Sequence, residues 1–72
     1  MGKLKYKVGD IIGVCADEMY EFEITQLSEE EKVYGAKCVM AHADASIKCG
    51  EEYKILPKQI VVLLGKNGKK FD

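Results

Sequence analysis

MYEFEITQLSEEEKVYGAKCVM, residues Met19 to Met40, reads as a single β-hairpin. In its first arm Tyr20, Phe22 and Ile24 alternate with Glu21, Glu23 and Thr25, the period-two pattern of a strand with one face on a core and the other in water. In the second arm Tyr34, Ala36, Cys38 and Met40 alternate with Val33, Gly35, Lys37 and Val39, so that arm is largely apolar on both faces. Ser28 to Glu31 carries three consecutive carboxylates that no core accepts, and it is the turn.

Outward from the hairpin, short strands recur. Met1 to Lys7 is a basic lead-in whose Leu4 and Tyr6 are placed to cover one end of a core. Val8-Gly9-Asp10 is a turn, with Gly9 free to take a positive φ. Ile11 to Cys15 is a strand apolar on both faces, and Ala16-Asp17-Glu18 is an exposed loop. Beyond the hairpin, Ala41 to Gly50 reads as a loop anchored by Ile47. Glu51 to Leu56 is a strand with Tyr53 and Ile55 on one face and Glu52 and Lys54 on the other. Pro57-Lys58-Gln59 breaks it, because proline has no N–H for a ladder, and a 3₁₀ turn fills the gap. Ile60 to Leu64, apolar throughout, is expected to be a central or closing strand, and residues 65–72 a polar tail. The expected fold is all-β: one domain over residues 1–72, a small five-stranded barrel with its core in residues 6–64. A chain of 72 residues builds only one modest core. Closing the sheet would remove the exposed edges of an open one.

Several function classes find no support. No apolar run approaches the ~20 residues of a membrane span. The N-terminus lacks the apolar segment of a signal peptide, and Tyr6 stands where a myristoylation pattern wants Ser or Thr. A cytoplasmic location is the expectation. Cys15, Cys38 and Cys49 form an odd set without a C-x-x-C pair and read as three thiols acting as small hydrophobes. Joined to His42 they give Cys38-x3-His42-x6-Cys49 plus a distant Cys15, which lacks the close ligand pairs of structural zinc sites. No metal or other cofactor is expected. His42 has no motif-placed nucleophile, and Gly65-x-x-Gly68-Lys69-Lys70 has neither the spacing nor the following helix of a phosphate loop. Enzymatic activity is therefore not expected.

Charge is where the chain is distinctive. The net charge is −1, yet Val8 to Glu31 holds eight acids and no base, while the rest holds all eleven lysines against four acids. There is no arginine, the residue best suited to bidentate reading of phosphates and guanines. An acidic face of Asp17, Glu18, Glu21, Glu23, Glu29, Glu30 and Glu31 would meet a protein partner with a basic patch. Alternatively Lys3, Lys5, Lys7, Lys66, Lys69 and Lys70 would contact nucleic acid if the two ends of the chain meet. An acidic face meeting a lysine face would give a weak homo-oligomer in place of a monomer.

The stretches Tyr6-Lys7-Val8-Gly9-Asp10, Tyr20-Glu21-Phe22-Glu23-Ile24, Gly50-Glu51-Glu52-Tyr53 and Leu56-Pro57-Lys58-Gln59-Ile60 together resemble SH3-like barrels of the Tudor and KOW kind. The resemblance spans most of residues 6–64. It implies a binding domain and not a catalyst, since such barrels take arginine- or lysine-bearing peptides, nucleic acid or other protein surfaces. Tudor-like readers use an aromatic cage with a nearby acid, for which Tyr20, Tyr34 and Tyr53 are the candidates. The alternative is that these tyrosines cap the core with their hydroxyls outward. KOW-type RNA binders carry basic loops, whereas two turns here are acidic. The reading that results is a non-enzymatic protein-binding module, a small standalone accessory or regulatory protein. By analogy with small bacterial and phage proteins, it would inhibit or modulate a host protein.

Overall fold

The computed structural model describes residues 4–15, 19–41 and 46–71. Its strands are β1 (Ile11–Cys15), β2 (Met19–Ser28), β3 (Val33–Met40), β4 (Glu52–Ile55), β5 (Ile60–Lys66) and β6 (Lys69–Lys70), with a 3₁₀ turn, Pro57–Gln59, between β4 and β5. They form one antiparallel sheet in the order β4-β3-β2-β1-β5-β6. The β2–β3 hairpin that the alternation in Met19 to Met40 predicts is formed, with β4 beside β3 and β1 beside β2.

One face of this sheet makes the core. Ile12 and Val14 of β1, Tyr20, Phe22 and Ile24 of β2, Tyr34, Ala36 and Cys38 of β3, and Ile55 of β4 form one buried cluster. Leu4, Tyr6, Ile47, Tyr53, Ile60 and Leu63 pack against it from the rim. No second layer of structure covers this face among the described residues, yet Ile12, Phe22, Ile24 and Tyr34 are fully buried. The sheet must therefore curl over its own inner face. Register shifts supply the bends, two in the β1–β5 ladder and two in β2–β3, because an extra residue kinks and twists the strand that carries it.

Curling does not become closure. The barrel expected from sequence is instead an open sheet of six strands, with β4 and β6 at its edges. The physical reason lies in residues 56–59. β4 is only four residues long, and the chain leaves it through a 3₁₀ turn that hands it directly to the far side of β1. Gln59 closes that turn twice: its N–H donates to the Leu56 carbonyl at 2.9 Å, and its Oε1 accepts the Leu56 N–H at 2.8 Å. A turn therefore links the two sides where a ladder would have closed the sheet.

Three further expectations change. Strict alternation puts Met40 on the face of Tyr34, Ala36 and Cys38, but a shift in register at Val39 moves it outward, and it is half exposed. Ile60 to Leu64 is apolar throughout, yet β5 is not central, and Val61 and Val62 are exposed with only the two-residue β6 beyond β5. Residues 65–70 are not a loose tail. Asn67 at φ 55° and Gly68 at φ 77° form the two-residue turn that matches strand twist, and it folds β6 back on β5.

Candidate functional site

The acidic residues are divided among different tasks. Glu21 is 9% exposed, and its carboxylate takes an ion pair from Lys70 Nζ at 2.8 Å. Glu23 is half buried; its Oε2 lies 3.6 Å from where a Cβ on Gly68 would sit. Both therefore face the β5–β6 hairpin. Glu29, Glu30 and Glu31 are exposed in the turn, and Glu31 meets Lys54 Nζ at 3.5 Å in an open pair of little energetic weight. Asp17 and Glu18 lie outside the described residues. The hairpin end that carries the three turn acids runs past β1, whose pairing with β2 ends at Glu23. Beside it, Gln26, Glu31, Gly35, Glu52 and Lys54 line an open cleft of about 380 Å³.

The lysines divide as well. Lys5, Lys7 and Lys66 surround a cleft of about 450 Å³ together with Tyr6, Asp10 and Asn67. Sequence proximity does not make this cluster, since Lys66 comes from the other end of the chain. The Gly68 N–H donates to the Gly9 carbonyl at 2.7 Å and so locks the β5–β6 turn onto the turn before β1. Gly9 accepts this role at φ 97°. Asp10, 9% exposed, holds the lead-in by accepting the Lys7 N–H on Oδ2 at 3.1 Å. Lys5 Nζ stands 5.6 Å from the Tyr6 ring centre, within cation–π range. Lys69 is exposed on the same hairpin, Lys70 is committed to Glu21, and Lys3 lies outside the described residues.

The three candidate cage tyrosines do not converge on solvent. Tyr34 is fully buried and its hydroxyl accepts the Tyr6 N–H at 3.0 Å. Tyr20 is core. Tyr53 sits edge-on to Phe22, with ring centres 6.1 Å apart, and its hydroxyl accepts the Lys48 N–H at 3.0 Å. On the outer face, Met19, Val62 and Leu64 gather over Gly13, where a Cβ would stand 2.6 Å from Val62 Cγ1.

None of the three cysteines is in a disulfide. Burial pushes the Cys38 thiol above its ordinary pKa, and the neighbouring Cys49 adds to the effect. Among the described residues no group of three or more His, Cys, Asp or Glu side chains is placed to hold a metal ion; His42 lies outside them. No helix among them is long and apolar enough to cross a membrane. Sequence reasoning missed Asn67 and the role of Asp10. The Asn-Gly dipeptide after an apolar run was the available signal for the first. No protein-family model, curated protein or solved structure matches the chain.

Proposed function

We propose that the protein is a non-enzymatic binding module, a small cytoplasmic accessory or regulatory protein that engages a protein partner with a basic patch. The carrying observation is that the end of the β2–β3 hairpin holds Glu29, Glu30 and Glu31 in solvent, past the end of the β1–β2 pairing. Glu21 and Glu23 are turned toward the protein's own hairpin, so the surface that reaches a partner is the turn. Exposed carboxylates there accelerate encounter with a basic surface and fix its orientation. An SH3-like relationship is supported by the order β4-β3-β2-β1-β5 and by the 3₁₀ turn before β5. The test is nuclease-treated affinity capture with the wild type and with E29K/E30K/E31K. A discrete protein retained by the first and lost from the second is expected; equal retention overturns the role of the turn.

The cleft of Lys5, Lys7 and Lys66 favours a second reading, the binding of a polyanion such as nucleic acid. Lys70 is excluded from that surface by its pairing with Glu21. Affinity for single-stranded nucleic acid would fall with salt at a slope of roughly 0.7 per phosphate contacted. Absence of binding at low salt, or an unchanged slope in K5A/K7A/K66A, removes this reading.

A further inference from the structure

Cys38 and Cys49 come from different parts of the chain, one at the buried middle of β3 and one on the exposed turn that leads to β4. Their sulfurs are 3.9 Å apart. The backbone around them is already tied. The Cys38 N–H donates to the Glu51 carbonyl at 3.0 Å, and the Gly50 N–H donates to the Cys38 carbonyl at 2.9 Å. Cys49 and Gly50 occupy the middle of a turn between Lys48 and Glu51, and Gly50 at φ 91° lets that turn point Cys49 back at β3. A disulfide has an S–S bond of about 2.05 Å, so the two sulfurs need to approach by roughly 2 Å.

We propose that Cys38 and Cys49 form a reversible dithiol–disulfide pair whose oxidant is a low-molecular-weight disulfide of the glutathione class. The two sulfurs differ in access, and that orders the steps. The exposed Cys49, as thiolate, attacks one sulfur of glutathione disulfide; the mixed disulfide forms and one glutathione thiolate leaves. Cys38 then attacks the Cys49 sulfur, forming the internal bond and expelling the second glutathione thiolate. The two protons given up by the protein thiols end on the two glutathione thiols. The protein pair loses two electrons, and the glutathione disulfide gains them. Burial keeps the Cys38 thiol protonated and slow toward outside oxidants, so it reacts only with a sulfur delivered beside it. Cys15 is also exposed and sits at the end of β1. The bond would staple β3 to the segment before β4, removing freedom from the unfolded chain.

The experiment treats the full chain with glutathione disulfide, blocks remaining thiols and digests with trypsin. Lys37, Lys48 and Lys54 are cleavage sites, so the two cysteines fall in separate peptides, 38–48 and 49–54, and Cys15 in a third. The expected product is a monomer that has lost two hydrogen atoms and links peptides 38–48 and 49–54. Dithiothreitol reverses it, and its thermal midpoint is several degrees above that of the reduced protein. In Cys49→Ser, Cys38 stays reduced and the midpoint no longer responds to the oxidant. Cys49→Ser replaces an exposed side chain with one of similar size, so the fold is expected to be kept. Stable glutathione on Cys49 with Cys38 still reduced, or a link through Cys15 or between two chains, overturns the proposal.

Discussion

The Lys70 ammonium lies 2.8 Å from the Glu21 carboxylate, although β1 and β5 stand between their strands in the sheet. Three strand spacings in a flat sheet would separate β2 from β6 by ~14 Å, beyond the reach of a lysine side chain. The β5–β6 hairpin must therefore bend over the outer face. Two other contacts agree: Gly68 donates to Gly9, and the Glu23 carboxylate lies beside Gly68. This fold-back is what covers Glu21.

Removing Lys70 leaves Glu21 covered without its cation. Lys70→Ala is expected to destabilise the fold by about 1–3 kcal/mol, between the worth of an exposed pair and the cost of breaking a buried one. The double substitution K70A/E21Q should recover part of that loss. Urea denaturation of both variants checks it; an unchanged midpoint in Lys70→Ala would show the pair to be idle.

The Asn67-Gly68 turn demands a left-handed backbone at both positions. Gly68→Val puts a β-branched side chain at φ 77° and is expected to cost more than 1 kcal/mol. The same variant should loosen the lysine cleft, because the Gly68–Gly9 hydrogen bond holds Lys66 beside Lys5 and Lys7. Amide exchange at position 68 reads this directly, and protection equal to that of the wild type would contradict it.

Gly13 of β1 lies under the Val62 side chain of β5. A methyl group there would stand 2.6 Å from Val62 Cγ1, so the Val62 side chain must move. Gly13→Ala is expected to destabilise by about 1 kcal/mol, and Val62→Ala in the same chain should relieve most of it. A double-mutant cycle measures the coupling, and strict additivity would mean that the two residues do not compete for space.

Much of the architecture was legible because local chemistry forces it. The alternation of Tyr20, Phe22 and Ile24 with Glu21 and Glu23 places a strand whatever its neighbours are. Gly9 and Pro57 mark turns through their own backbone restrictions. The strand–turn–strand outline, the 3₁₀ turn and the buried set from Ile12 to Ile55 follow from such rules. Period-two reasoning fails where a shift in register resets it, and Met40 is the example: the neighbouring strand, not the residue, decides which face it takes.

The candidate sites were less legible, since a charge in a sequence carries no record of what it will meet. Glu21 and Glu30 look alike in the chain, yet one is covered by a lysine from the last strand and the other remains in water. Lys66 joins Lys5 and Lys7 only because Gly68 docks on Gly9, and Cys38 meets Cys49 only because the turn at Gly50 points back at β3. The sequence by itself determined the five longer strands, the turns between them and the core face, which depend on neighbours one to four residues away. Tertiary structure alone decided which charges pair, which thiols meet and that the sheet stays open, because those outcomes depend on contacts between residues far apart in the chain.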